Sequence, residues 1–256
     1  MIATIAAKEL KGLFTSPLAW MVLTAVQLIG GYAFLKRLDD FLQIQPQLVQ
    51  LASPPGVTEL VAAPLFAATA IMLLFAVPLL GMRSIAEERR NQTMVFLTSA
   101  PISMTQIILG KFLGLMVFIL LIVALVTAMP LTLAGSTQLD YGLIASLCAG
   151  VLLIAAGFAA LSLYVSSLTT HPMAAAFGAF AALLLMIFMG EAASDGLRTR
   201  GWHVPAALVQ VFSPLKNFEP LGKGLIDTYA IACSLLLIVF FIVLAVRRLD
   251  GRRLRG

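Results

Sequence analysis

"FLGLMVFILLIVALVTAMPLTLA", residues Phe112–Ala134, is an apolar run without one charged side chain. An α-helix rises ~1.5 Å per residue, so about 20 apolar residues cross the ~30 Å hydrocarbon core of a bilayer. The run is continuously apolar rather than alternating, which favours a membrane-spanning helix over a strand of a membrane β-barrel. This stretch therefore predicts that the chain spans a membrane.

Five further blocks of the same kind flank it, in a chain of 256 residues that is 61% hydrophobic and only 11% charged. Soluble domains carry about a quarter charged residues, so much of this surface is expected to face lipid. We predict an all-α polytopic membrane protein, a single transmembrane domain over residues 1–256. The predicted spans are Leu18–Leu35, Leu60–Met82, Phe112–Ala134, Leu143–Leu168, Met173–Gly190 and Ala230–Val246.

Charge predicts how the six spans are oriented. Six spans put both termini on one side, and eleven of the 17 Lys and Arg residues fall in segments on that side. Because Lys and Arg resist translocation, we expect both termini in the cytoplasm of a cell whose inner membrane holds this multi-pass chain. The stretch Met1–Leu10 lacks the pattern of a cleavable signal peptide, so the first helix is expected to be retained.

The N-terminal segment, residues 1–17, is predicted to be an interfacial amphipathic helix. Thr4, Lys8, Lys11 and Thr15 recur every three or four residues and form one polar stripe. Pro17 is expected to end this helix before the first span begins. Such a helix directs its lysines to lipid headgroups and its apolar side to the acyl chains. An ordinary cytoplasmic stub is the alternative.

The longest internal connection, residues 83–104, concentrates charge between the second and third spans. Its stretch "MRSIAEERRNQTM" (Met82–Met94) has no Gly or Pro, and we predict a short helix held parallel to the membrane. A solvated loop helix is the plain alternative, and docking onto another protein is the functional one. Ser103 and Gln106 form a capping-box pattern that starts the next helix, with Lys111 expected near the headgroups. The candidate docking residues are Glu87, Glu88, Arg89, Arg90, Met94 and Leu97.

Other features predict packing rather than chemistry. Ala174, Gly178 and Ala182 recur every four residues, which lets helices approach closely, within the chain or across a dimer. Leu38–Ala52 has near-helical apolar spacing, and the outer-side segment 191–227 is expected to hold short helices with a break at Ser213–Pro214.

The sequence predicts no enzyme chemistry in this chain. His171 and His203 fall on opposite sides of the predicted membrane, so no metal site is expected. No nucleotide-binding, hydrolase or metalloprotease motif occurs, and nothing predicts a nucleic-acid partner. The predicted spans contain no Asp, Glu, Lys, Arg or His, which disfavours an ion-coupled carrier and favours an amphipathic or lipid-like cargo.

The stretch "SIAEERRNQTMVFLTSAPISMTQIILGKFLG" (Ser84–Gly114) resembles the permeases of ABC-2 type transporters, most nearly the gliding-motility-associated subgroup. "KELKGLFTSPLAWMVL" (Lys8–Leu23) and "SPLKNFEPLGKGLID" (Ser213–Asp227) are similar to the same family. Two positions depart from the family pattern: Gln92 replaces a usual Gly, and Val95 replaces a common acidic residue, so flexibility and a charged contact at the docking site are affected.

The resemblance implies a membrane subunit of an exporter that works beside two copies of a cytoplasmic ATPase. MgATP would bind the ATPase, with no cofactor in this chain. The segment Ser84–Thr98 would be the coupling helix seated in the ATPase, and spans one, two and five would border the path. A second permease copy, in a homodimer, or a paralogue would complete that path, and an accessory subunit with an outer-side domain could join.

Two other functions remain open at this point. A stand-alone channel or carrier would be expected to place polar groups in its spans. A non-transporting membrane scaffold driven by an ATPase would use the same charged helix but would move no cargo.

Overall fold

Almost every described residue of the chain is helical. The computed structural model describes residues 1–48, 55–92, 103–195 and 212–253. A π-helical turn, Thr58–Ala62, leads into the third helix, and a 3₁₀ turn, Thr132–Gly135, follows the fourth. In chain order the α-helices of these ranges are α1 (Ile2–Thr15), α2 (Pro17–Leu48), α3 (Ala63–Arg90), α4 (Met104–Leu131), α5 (Tyr141–Leu168), α6 (Pro172–Asp195), α7 (Pro214–Gly222) and α8 (Thr228–Arg253).

Six helical stretches in these ranges have the length and apolar composition to cross a membrane. This confirms the predicted all-α polytopic fold with six spans. Large apolar side chains stay exposed on the outside of the bundle, for example Tyr32 on α2 and Phe177 on α6. Water would penalise so much exposed apolar surface, whereas lipid accepts it. The spans are Pro17–Gln47, Thr58–Arg90, Met104–Gly135, Tyr141–Leu168, Pro172–Gly190 and Thr228–Gly251.

Helix α5 is the centre of the bundle. In its most apolar 18-residue stretch 67% is buried, whereas the corresponding share in α2 is 33%. It packs against α3, α4, α6, α7 and α8. Small residues make these approaches possible: Gly150 faces Phe218 of α7, and Gly157 faces Leu237 of α8. Interfaces between membrane helices depend on such small residues because lipid provides no hydrophobic force to bring helices together.

One end of the bundle, which we call the terminal face, collects α1, the ends of α3, α5 and α8 and the start of α4. A cluster of buried apolar side chains joins these elements, including Ile5, Ile85, Ile107, Leu163 and Leu249. The other end, the opposite face, holds the turn at Thr58, the start of α5 and α7. There Ser146 donates a hydrogen bond to the carbonyl of Leu221, and Asp140 N–H donates to Thr58 Oγ1.

Several predicted boundaries agree with the structure. α1 ends at Thr15, just before Pro17, as predicted. α4 starts with the expected capping box, in which Ser103 Oγ accepts from Gln106 N–H and Gln106 Oε1 accepts from Ser103 N–H. α7 begins at Pro214, where the break at Ser213–Pro214 was expected. Residues 196–211, which include His203, lie outside the described residues.

Two predicted boundaries were wrong. The first span and the outer segment from Leu38 are one helix, α2, which continues to Leu48. The charged residues from Arg83 to Arg90 do not begin a separate helix, because they are the last two turns of α3. Gly81 is the only Gly or Pro between Leu79 and Arg90. It lies in a closely packed part of α3, so the helix continues through it. Residues 93–102 lie outside the described residues.

Candidate functional site

The candidate site lies on the terminal face, where α1 packs across α4. Two glycines four residues apart, Gly110 and Gly114, form a shallow groove on α4. A Cβ atom added at Gly110 would lie 2.7 Å from Cβ of Ile5, and one added at Gly114 would lie 2.9 Å from the carbonyl of Ala6. This spacing of small residues permits backbones to approach closely. It seats α1 directly beside Lys111, which lies between the two glycines.

Lys111 is the centre of an ion-pair network that joins three helices. Its side chain is 0% exposed. Its ammonium group lies 2.5 Å from Glu9 Oε1 of α1 and 2.9 Å from Glu88 Oε2 of α3, and it donates to the carbonyl of Ser84 at 2.6 Å. Lys8 of α1 adds a fourth charge, 3.2 Å from Glu88 Oε1. We call Lys8, Glu9, Glu88 and Lys111 the ionic joint.

The ionic joint is balanced in charge, with two ammonium groups and two carboxylates. Removing an ammonium group from water costs several kcal/mol, and only close partners offset that cost. Lys111 donates to the Glu9 carboxylate and to the Ser84 carbonyl, and the Glu88 carboxylate lies within ion-pair distance of the same ammonium. Removing one partner of a buried pair costs about 3–5 kcal/mol, because a buried charge is left uncompensated. The joint therefore holds α1, α3 and α4 in one arrangement.

The depth of Lys111 along α4 places the joint near one boundary of the membrane. Lys111 is about 10 Å along the axis from the first residue of α4, and the whole helix is about 42 Å long, longer than the ~30 Å apolar core. The prediction that Lys111 lies near the headgroups fits this depth. The ammonium group itself points into the protein, where its side chain is 0% exposed.

The end of α3 is also fastened on its other side, to the end of α5. Arg89 donates to the carbonyls of Ser167 at 2.6 Å and Thr169 at 3.5 Å. These carbonyls lie at the C-terminal end of α5, where a positive charge interacts favourably with the helix dipole. Ser166 Oγ accepts from the N–H groups of Ile85 and Ala86, and it donates to the carbonyl of Met82.

The four predicted polar docking residues therefore differ in what they contact. Glu87 pairs with Arg83 one turn earlier, at 3.3 Å, and is partly exposed. Glu88 belongs to the ionic joint, and Arg89 caps α5. Arg90 is exposed and forms no ion pair with any described residue. The predicted apolar docking residues, Met94 and Leu97, lie outside the described residues.

The remaining predicted residues occupy two places. Lys8 contacts Glu88, whereas Lys11 is exposed on α1. In α6, an added Cβ at Gly178 would meet Val165 of α5 at 3.1 Å, so this small residue serves packing within the chain. Ala182 is partly buried against the same core, and Ala174 is exposed.

A cleft of about 390 Å³ lies beside the ionic joint, between α1, the start of α2 and the end of α3. Its wall includes Glu9, Glu87, Glu88, Arg83 and Ser16. Arg83 donates to Ser16 Oγ at 2.8 Å and so links the start of α2 to the end of α3. Among the described residues, no three His, Cys, Asp or Glu side chains converge on a possible metal position.

The ionic joint was missed by reasoning from the sequence. Glu9 and Lys111 are separated by 102 positions, and no local pattern connects them. One signal was present: the spacing of Gly110 and Gly114 indicates a close helix contact on the face of α4 that carries Lys111.

A family model, described as ABC-2 family transporter protein, matches residues 3–252. The chain belongs to the ABC-2 transporter family. This ABC-2 protein is thus a membrane component of a transporter, and its family works in general with an ABC ATPase partner. No curated protein matches the chain.

Proposed function

We propose that this ABC-2 chain couples ATP hydrolysis on a separate cytoplasmic ATPase to movement of an amphipathic or lipid-like cargo across the inner membrane. In this proposal two ATPase subunits bind MgATP, and a second permease copy or a paralogue completes the path. The family membership supports the transporter part of the proposal. The attachments of the end of α3 support the coupling part.

The observation that carries the proposal is that the charged end of α3 is tied to three other helices of the terminal face, α1, α4 and α5. Glu88 connects it to α1 and α4, and Arg89 and Ser166 connect it to α5. A force applied at Arg90 would therefore be transmitted to the spans through these contacts and would not be absorbed by a flexible connection. α3 is a continuous helix from Ala63 to Arg90 with Pro78 inside it, and the part after Pro78 contains no further proline, so the end of α3 can act as a lever.

The residues proposed to meet the ATPase are Glu87 and Arg90, with Met94 and Leu97 supplying apolar contacts. Glu87 and Arg90 are the two charged positions of the group that the rest of the fold leaves accessible. The terminal face must then be cytoplasmic, as the excess of Lys and Arg predicts. The apolar spans favour an amphipathic cargo, since a strongly polar solute would lack partners there.

The test is affinity purification of the chain from its native membrane in mild detergent, followed by mass spectrometry. We expect an ATPase at near-equal amount with the unaltered chain. Glu87→Lys should lower its recovery at least about tenfold, equivalent to about 1.4 kcal/mol, because a docking carboxylate is reversed in charge. Glu88→Ala is a poor probe, because it would also leave Lys111 with one carboxylate fewer.

Glu219→Lys is the matched control. Glu219 forms the same kind of pair four residues apart as Glu87, here with Lys223, but on the opposite face. The hydrogen bond and charge of Lys223 lower the pKa of the Glu219 carboxyl, so it is ionised at neutral pH. ATPase recovery should be unchanged in this variant. Equal recovery in the Glu87 and Glu219 variants contradicts the proposed docking site, and absence of any ATPase contradicts the coupling proposal.

Reconstitution distinguishes a transporter from a scaffold. The purified complex in liposomes, given MgATP, should move fluorescent phospholipid or amphiphile between leaflets. ATP hydrolysis without movement of any such probe favours the non-transporting scaffold.

A further inference from the structure

The position of Lys111 has a consequence beyond stability. A fully buried ammonium contacts carboxylates on two different helices, Glu9 on α1 and Glu88 on α3. α1 contacts mainly α4, through the groove of Gly110 and Gly114. Within the described residues, α1 is attached to α3 in two ways. Lys8 pairs directly with Glu88, and Lys111 contacts both Glu9 and Glu88.

We propose that Lys111 is a positioning residue that makes α1, the end of α3 and the start of α4 one rigid body. Displacement of α3 then displaces the N-terminal helix in the same step. The proposal rests on the proposed function for the source of that displacement. Its first part, the rigid body, is independent of any ATPase.

The choice of charges supports this role. An apolar contact would also hold α1 on α4, and replacing buried ion pairs by apolar groups is often neutral or stabilising. An ion pair differs because its geometry is directional and fixes one register between the helices. If α1 slid along α4, Glu9 would leave Lys111, and the ammonium would keep only Glu88 and the Ser84 carbonyl, so the pairing favours one register between α1 and α4.

The surroundings of the joint also suit transmission. The carbonyl of Ser84 accepts a hydrogen bond from Lys111, and Ser84 lies one turn before Glu88 on α3. Lys111 therefore contacts α3 at two positions. Arg83, the residue before Ser84 on α3, donates to Ser16 at the connection from α1 to α2. A movement of α3 therefore reaches α1 at its middle and at its C-terminal end.

The first experiment measures the rigid body without an ATPase. The full chain in lipid nanodiscs, with Cys148→Ser and Cys233→Ala, carries spin labels at Lys11→Cys and Asn91→Cys, and pulsed electron resonance gives their distance distribution. We expect a narrow distribution that broadens in Lys111→Met and in Glu9→Gln and is narrow again in Lys111→Arg. Ser146→Ala removes a buried hydrogen bond on the opposite face and should leave it narrow. Equal widths in Lys111→Met, Glu9→Gln and the unaltered chain would overturn the proposal.

The second experiment measures transmission in the purified complex with its co-purifying ATPase. Two label pairs share Arg247→Cys on α8: one partner is Lys11→Cys on α1 and the other is Asn91→Cys at the end of α3. Adding Mg²⁺ and a non-hydrolysable ATP analogue should shift both distances in the unaltered chain and in Lys111→Arg. In Lys111→Met and Glu9→Gln the Asn91 pair should shift as before, whereas the shift of the Lys11 pair should be smaller than in the unaltered chain.

The outcomes separate the two proposals. If the Asn91 pair does not respond in the unaltered chain, the proposed coupling fails, while the nanodisc widths still decide the rigid body. If the Lys11 pair shifts as much in Lys111→Met as in the unaltered chain, α1 follows α3 by another route and the positioning role of Lys111 is wrong.

Discussion

At the scale of single residues, burial changes the meaning of a charged or hydroxyl side chain. Lys111 appears in the sequence as one basic residue beside an apolar run, yet its ammonium group is buried and its partners lie inside the protein. Ser166 is a similar case. Its hydroxyl is buried on α5 and bonds to three backbone groups of α3, so it fastens two helices. Such residues contribute through their partners, which composition does not reveal.

Ser166→Ala should destabilise the protein by about 1–3 kcal/mol, since backbone groups of α3 lose a buried partner. Ser234→Ala is the matched control: this hydroxyl is also buried but donates only to the carbonyl of Ala230 in its own helix, so its loss should change stability little. The measurement is the midpoint of thermal unfolding in detergent, followed with a fluorogenic thiol reagent that reports exposure of Cys148 and Cys233. Equal midpoints for the two variants would show that Ser166 does not fasten α3 to α5.

At the scale of elements, the contact between α1 and α4 depends on two glycines, which have no side chain, as much as on the side chains that are present. Gly110 and Gly114 admit the backbone of α1, which allows Glu9 to reach Lys111. The fold of α1 as a helix was predictable from its polar stripe. Its resting place was not, because an amphipathic helix of this composition is equally suited to a lipid interface.

Gly114→Ala should displace α1, because the added methyl group would lie 2.9 Å from a backbone carbonyl that cannot move aside alone. Gly12→Ala is the control on α1, where an added Cβ meets no atom within 4 Å. Alanine normally stabilises a helix by about 1 kcal/mol relative to glycine, so only the first variant should be harmful. The readout is alkylation of Ile5→Cys by a maleimide, since Ile5 is buried against Gly110. Faster alkylation is expected in Gly114→Ala alone; equal rates in both variants would contradict close packing.

At the scale of the whole molecule, the two ends of the bundle have different chemistry. The terminal face carries the ionic joint, Arg83, Arg89 and Arg90, and the opposite face carries α7 with the pair of Glu219 and Lys223. A second cleft, of about 590 Å³, lies on the opposite face between the start of α3 and α7. The proposed mechanism requires that the terminal face be cytoplasmic.

Labelling of intact cells checks this orientation. Lys223→Cys on the opposite face should react with a membrane-impermeant maleimide added outside, because Lys223 is exposed there. Asn91→Cys should react only after the membrane is permeabilised. The reverse pattern would place the terminal face outside and would remove the proposed contact with a cytoplasmic ATPase.

Local patterns in the sequence determined the six spans, the capping box at Ser103 and the break before Pro17, because hydropathy and helix capping act over a few residues. They also located the charged end of α3, although they assigned it to a separate helix. Only the tertiary structure decided that Glu88 and Arg89 contact other helices of the same chain and that Lys111 points inward. The physical reason is distance along the chain: Lys8 and Glu88 are 80 positions apart, and Glu9 and Lys111 are 102 apart. Such pairs form only after α1 has packed into the groove of α4, so no segment read alone contains them.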